Sequence, residues 1–402
     1  MYFNHTPVYP STNAPLVALD YGCLGVVMAH EYIIGGSGTG KSSLIKHKIL
    51  EDINVGFGVC FIDPHGHDID EIIGHIPKDR IKDTILFDPT DPTHFISWNP
   101  LQESDNKPLT ATVIADTIKD AWGYHGMTTP VMDMFLFFTV FTLIENNLSF
   151  YQSLSLLSDK DYRSQLSFND VTVKQFWDMF NAMSAKEQRE ATASTLNKLF
   201  ILFGDERIRR ILDTTKGRFS VFDAVSNKIL LVRLPQGQLG MSKVSLIGSL
   251  LLSQIHLACL KRNTTVPYCI YIDEVHSFTA STLAEMLSGL RKFNVHITVA
   301  HQYIEQLDRE LFKSLMSNCD YRYVFRVSPE DAIKFQERLG RTGDIDLDKL
   351  NNYVYRVFPW HNIDIDKETK ALDQIQRPST PKRIKNNTHT MYCKRIRNED
   401  RN

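Results

Sequence analysis

The 402-residue chain has no C-x-x-C pair, and its six cysteines (Cys23, Cys60, Cys259, Cys269, Cys319, Cys393) are scattered. Most sit in apolar runs, where a thiol serves as a small reduced core residue rather than as a disulfide half or a zinc ligand. A long hydrophobic run is also missing. The longest, near Met134 to Ile144, falls short of the roughly 20 residues that cross a bilayer as a helix. No charged stretch followed by an apolar one opens the chain, so no signal peptide is expected, and a soluble cytoplasmic protein is the default. Net charge is scarce too: −2 at pH 7 carries no global nucleic-acid signature. The balance is uneven, however. From 376 to 402, eight basic residues (Arg377, Lys382, Arg383, Lys385, Lys394, Arg395, Arg397, Arg401) face only Glu399 and Asp400. With Pro378 and Pro381 among Asn and Thr, this tail has little apolar surface to offset its ordering entropy. It is expected to be flexible, and is either a polyanion or partner contact or a solvated terminus.

What is present is an apolar content of 43%, enough for two or three structural units or one large domain with an insertion. The informative stretch is Ile33-Ile34-Gly35-Gly36-Ser37-Gly38-Thr39-Gly40-Lys41-Ser42-Ser43-Leu44. It reads as a buried strand, a glycine-rich turn and a helix start, and Gly35 to Ser42 satisfies G-x-x-x-x-G-K-[ST]. Glycines let successive backbone N–H groups converge on a phosphate, and the helix N-terminus adds its dipole. Lys41 is expected to neutralise the β- and γ-phosphates, and Ser42 to hold Mg²⁺. The segment Gly35 to Ser43 is thus a candidate cradle for a nucleoside triphosphate.

Strand–helix alternation follows. Gly58 to Asp63 and Thr84 to Phe87 read as strands, each leading into an Asp at the edge where ligands of open α/β sheets sit. Asp88 is read as turn chemistry; Asp63 and His65 are either turn residues or site residues. His65, His67 and His75 lack the thiolate or fourth ligand that a zinc site would need. Residues 105–214 change to helical periodicity. Val113/Ile114, Thr117/Ile118 and Ala121/Trp122 step by four, as do Phe176 and Phe180, and Ser184-Ala185-Lys186-Glu187 is a capping box ahead of Leu196, Leu199, Phe200 and Phe203. The alternation resumes with a strand at Lys228 to Leu234 and an apolar helix at Val244 to Leu257.

Tyr268-Cys269-Ile270-Tyr271-Ile272 then ends in Asp273-Glu274, the Walker B arrangement, with Asp273 for the Mg²⁺ shell and Glu274 to polarise the attacking water. Thr282-Leu283-Ala284-Glu285 is read as the cap of the next helix. The strand His296 to Ala300 delivers His301 and Gln302, the latter either a γ-phosphate or water sensor or an ordinary loop amide. A last strand, Tyr321 to Val327, precedes a helix start at Ser328-Pro329-Glu330-Asp331.

Together Gly35–Ser42, Phe61-Ile62-Asp63-Pro64-His65-Gly66, Trp98-Asn99-Pro100-Leu101, Leu234-Pro235-Gln236-Gly237, Tyr271-Ile272-Asp273-Glu274, Leu290-Arg291-Lys292, Ala300-His301-Gln302 and Phe325-Arg326-Val327 with Asp331-Ala332 resemble the HerA/FtsK superfamily of DNA-pumping ATPases. Within it the chain is most similar to the type IV coupling proteins and conjugative-transfer ATPases of VirD/TraG/TraD type, over about residues 28 to 360. The resemblance implies an α/β, RecA-like P-loop core with an inserted all-α domain, assembled as a hexameric ring that threads DNA using ATP and Mg²⁺. It implies motor segments at 30–104 and 215–375, the helical insertion at 105–214, a lead-in at 1–29 and the tail at 376–402. It also implies that Arg291 reaches the neighbouring subunit's nucleotide; the plain alternative is a helix-end cation offsetting the dipole.

The chain lacks the transmembrane helices with which coupling proteins usually begin and the N-terminal barrel of HerA itself. The expectation is therefore a bare motor, a conjugative or mobile-element translocase or a viral packaging ATPase. Such a motor meets a relaxase, a secretion channel or a capsid portal, peripheral to that channel or virion. The alternative is a secretion-system ATPase acting on protein.

Overall fold

The computed structural model describes residues 29–102, 106–338, 346–352 and 355–359. The basic tail and the lead-in up to residue 28 lie outside them. Eight strands form one sheet: β1 (His30–Ile34), β2 (Gly58–Asp63), β3 (Thr84–Phe87), β4 (Ile229–Arg233), β5 (Tyr268–Ile272), β6 (Val295–His301), β7 (Cys319–Val324) and β8 (Arg356–Pro359). Their order is β3-β4-β2-β5-β6-β1-β7-β8, and all neighbours run parallel except β7 and β8. A parallel sheet must be covered on both faces, so its strands are nearly continuous apolar runs. In β1, β2, β5 and β6 every residue is buried.

The two-residue period of a strand divides the core in two. Tyr32, Ile34, Ile62, Val232, Ile272 and Val299 face the helix Met241–Cys259 and the helices beyond it. Ile33, Phe61, Leu231, Tyr271 and Tyr323 face the helices Lys41–Asn54 and Ile69–His75. Met241–Cys259 is long and apolar enough to cross a membrane, but it is a mostly buried core helix.

Between β3 and β4 the described chain is helical, from Lys107 to Asn227. The expected capping box is present: Ser184 Oγ accepts from Glu187 N–H at 3.3 Å, and Glu187 returns a carboxylate to Ser184 N–H at 2.8 Å. Phe135, Phe176, Trp177 and Phe180 form an edge-to-face cluster, with Trp177 Nε1–H donating to Thr142 Oγ1 at 2.8 Å. Three details differ from expectation. The buried face of Ala185–Phe203 is Thr192, Thr195, Leu199, Leu202 and Phe203, leaving Phe200 56% exposed, because at 100° per residue Phe200 turns away from Leu199. The helix after Walker B begins at Ala280 with Thr279 at its cap, not Thr282, whose hydroxyl instead accepts from Thr279 Oγ1 within the first turn. And β7 spans Cys319–Val324, so Phe325 to Val327 belong to the loop beyond it.

Candidate nucleotide site

The carboxyl ends of parallel strands share one edge of the sheet, and four neighbours there carry the sequence-marked residues. In order they are β2 (Asp63, His65), β5 (Asp273, Glu274), β6 (His301, Gln302) and β1 (Gly35 onward). Strands lie about 4.8 Å apart, so β5 and β1 are separated by roughly 10 Å, room for a phosphate chain and a metal. This edge is where ligands bind in open α/β sheets.

The loop after β1 is shaped by steric need. A Cβ on Gly35 would meet Phe325 Cβ at 2.4 Å, and Gly38 and Gly40 hold φ of +71° and +113°, which side chains rarely adopt. Gly36 N–H donates to Arg326 O at 2.9 Å, tying the loop to the chain beyond β7. Among the described residues the N–H groups of Gly40, Lys41 and Ser42, at the start of Lys41–Asn54, find no backbone acceptor. They remain available to an anion. Lys41, 7% exposed, donates from Nζ to Gly36 O at 3.1 Å. Burial lowers its pKa, and the nearby Asp273 and Glu274 oppose that shift.

Asp273 is pushed up to about 7, first by burial, then by the adjacent Glu274 and by Asp63, against the Glu274 N–H and Lys41. A buried carboxylate so placed fits a cation ligand: with Ser42, it is where Mg²⁺ would be held. Glu274 adopts a left-handed backbone, φ 45° and ψ 52°, which costs about 1–3 kcal/mol for a non-glycine residue. Two bonds sustain it, Glu274 N–H to Asp273 Oδ1 at 2.9 Å and Ser277 N–H to Glu274 O at 2.8 Å. Gln302 Nε2 donates to Glu274 Oε1 at 2.7 Å, so β6 and β5 deliver the amide and the acid to each other. His301 is turned inward: its Nδ1–H donates to Tyr303 O at 2.9 Å while Nε2 accepts from Tyr32 O–H at 2.6 Å. Burial holds that ring neutral, with a pKa near 3.

Asp63 is occupied by its own turn, accepting from His65 N–H at 2.8 Å and Asp68 N–H at 3.1 Å. Asp88 does the same for Thr90 N–H at 2.8 Å. His65, by contrast, reaches the site, with Nε2 3.6 Å from Glu274 Oε1 and Nδ1 3.2 Å from Gln236 Nε2. His75 is engaged elsewhere, with Nδ1 on Glu71 O at 2.8 Å. Arg291 is the one residue expected to act on the nucleotide that is absent from this edge. It precedes β6 at the opposite end of the sheet, is 47% exposed, and pairs with Asp320 at 2.9 Å. Two further side chains stand at the site: Gln236, marked only within the Leu234-Pro235-Gln236-Gly237 motif, and His276, not marked from the sequence. Gln236 lies beside His65, and His276 has Nδ1 3.4 Å from Glu274 Oε2. The spacing Asp273-Glu274-Val275-His276 is the signal that points to the second.

Fold and site together define a RecA-like P-loop ATPase with helices inserted between β3 and β4. Residues 23–353 match the family of type IV secretion-system coupling protein DNA-binding domains, and the chain belongs to that family. Among solved structures it is similar to the bacterial conjugative coupling protein TrwBΔN70, with a TM-score of 0.61 and 16% identity over 83% of this chain and 82% of that one. It is also similar to TrwB in complex with ADP and Mg²⁺, with a TM-score of 0.59 and 15% identity over 83% of each chain. VirB4 of Thermoanaerobacter pseudethanolicus gives a TM-score of 0.56 and 15% identity over 84% of this chain and 91% of that one. A search of curated protein sequences gives no match.

Proposed function

We propose that the protein is an ATP-driven DNA translocase, one subunit of a ring that moves DNA in conjugative or mobile-element transfer or in genome packaging. The observation that carries this reading is the split of the chemistry between the two ends of the sheet. Lys41, Ser42, Asp273, Glu274 and Gln302 share the carboxyl edge, while Arg291 stands before β6 at the other. At about 3.3 Å per residue, the seven residues of β6 put roughly 20 Å between Arg291 and its own P-loop. Arg291 is too far away to serve its own nucleotide, but a head-to-tail neighbour would receive it at the phosphate edge, and such contacts close into rings. Membership of the coupling-protein family supports DNA as the substrate.

In this reading Gly35 to Ser43 cradle the phosphates of ATP, and Lys41 leaves the Gly36 carbonyl to neutralise them. Ser42 and Asp273 hold Mg²⁺, which supplies charge stabilisation to the transferred phosphoryl group. Glu274 polarises the attacking water, and Gln302 senses its position. The test is ATP turnover with and without DNA, alongside mass by light scattering. Stimulation by DNA together with an ATP-dependent ring mass is expected. Turnover indifferent to DNA would move the reading to an ATPase that acts on protein.

A further inference from the structure

Glu274 presents two unlike oxygens. Oε1 accepts from Gln302 Nε2 at 2.7 Å and has His65 Nε2 at 3.6 Å. Oε2 is buried and makes no hydrogen bond, yet it faces His276 Nδ1 at 3.4 Å, and that nitrogen is likewise buried without a hydrogen bond. Two buried polar atoms that lack partners are not expected to face each other by chance, because each left unpaired is destabilising. A small rotation of either side chain aligns them.

We propose that His276 is the positioning residue of the catalytic base: its Nδ1–H takes Glu274 Oε2 and fixes the carboxylate plane when Gln302 lets go of Oε1. This rests on the ATPase reading above. A general base needs one oxygen free towards water and the other restrained, or the carboxylate loses its aim. In the arrangement seen here Gln302 occupies Oε1, the oxygen left for water once His276 holds Oε2. Once the amide turns to the γ-phosphate or the water, Oε1 is freed and, among the described residues, His276 is the one placed to restrain Oε2. The ring is suited to this. It sits in the tight Val275–Ser277 turn next to the acid, and burial favours its neutral form, which in the Nδ1–H tautomer is a single directed donor.

The test uses the geometry of amides. The Nδ2 of asparagine falls where histidine has Nδ1, whereas the Nε2 of glutamine falls where histidine has Nε2. Full-length His276→Ala and His276→Gln should lose tenfold or more in kcat, while His276→Asn should recover most of it. Affinity for a fluorescent ATP analogue and melting temperature should stay unchanged in all three. In a Glu274→Gln background, His276→Ala should cause no further loss. Equal losses in the Asn and Gln variants would make His276 a space-filling residue and overturn the proposal, as would an Ala variant with wild-type kcat. If His276→Ala does not fold, the Asn and Gln pair decides alone. A wild-type protein that fails to turn over ATP, or a Lys41→Ala variant that still binds it, would overturn the ATPase reading instead.

Discussion

Lys41 and Glu274 sit on the same sheet edge but do different work in the proposed reaction, and their variants should separate accordingly. Lys41→Ala removes the phosphate cation and should abolish most binding of an ATP analogue, read by fluorescence titration. Glu274→Gln keeps the shape and the contact to Gln302 while losing the base. It should bind normally and lower kcat by at least 10²-fold. A Glu274→Gln enzyme close to wild type would place the base elsewhere. A second residue-scale consequence concerns acid. Burial is the first cause holding His30 and His296 at about 4 and His301 at about 3, against 6.5 when exposed. These pKa values lie below the unfolded ones, so the unfolded chain takes up protons first as pH falls. Their contribution is intact above pH 6.5 and is lost progressively towards pH 4 and 3. Asp52, raised to about 6, and Asp273, raised to about 7, both chiefly by burial, act in the opposite sense down to about pH 4, two groups against three. Stability from denaturant unfolding should therefore fall as pH drops from 6.5 to 4.5. His296→Gln should remove up to about 1.4 kcal/mol per pH unit of that slope. A flat profile would show that these rings are hydrated in solution.

At the scale of the element, the helix Met241–Cys259 shows why apolar composition alone does not describe a helix. It is buried nearly all round, wedged between the sheet and the helices that begin at Lys107. Its Gly248 is a packing necessity: a Cβ there would meet the ring of Phe278, four residues after Glu274, at 2.1 Å. Alanine ordinarily improves a helix by about 1 kcal/mol over glycine. Here the overpacking should win, and Gly248→Ala is expected to lose about 1–3 kcal/mol in denaturant unfolding. Adding Phe278→Leu should recover part of that loss; stabilisation by Gly248→Ala alone would mean the ring is free to move. On the sheet's other face the P-loop helix is keyed by polar contacts. Lys48 Nζ reaches Glu31 at 2.9 Å and Tyr323 Oη at 3.1 Å, Thr298 Oγ1 donates to Glu31 at 3.1 Å, and Tyr271 donates to Asp52. This network joins the helix behind the P-loop to β1, β5, β6 and β7.

At the scale of the molecule, the proposed role of Arg291 at a neighbour's nucleotide would make the active unit larger than one chain. Subunits carrying Arg291→Ala keep an intact phosphate edge, and Lys41→Ala subunits keep an intact arginine. Mixing the two should restore part of the hydrolysis that neither shows alone, measured as turnover against mixing ratio. No rescue, with a monomeric mass under ATP, would make Arg291 a structural partner of Asp320. The Leu290–Phe293 turn places this arginine at the start of β6, as the helix end ahead of an apolar strand indicates, while its pairing with Asp320 is a tertiary contact.

Strands β1 to β7, their order along the chain, and the glycine-rich loop and acids at the sheet edge were legible in the sequence because each depends on local chemistry; β8 was not read. Apolar runs bury on both faces, glycines alone accept the loop's backbone, and a helix start offers free N–H groups. The capping box at Ser184 was legible for the same reason. Only the tertiary structure decided which strand lies beside which. That adjacency sets Gln302 on Glu274 and brings His65 to the same carboxylate, whereas His276, two residues from Glu274, and the turn that occupies Asp63 are local features. Sequence pattern records how each residue meets its near neighbours, whereas the pairing of β5 with β6 and of β6 with β1 is a contest among long-range contacts that only the packed core resolves.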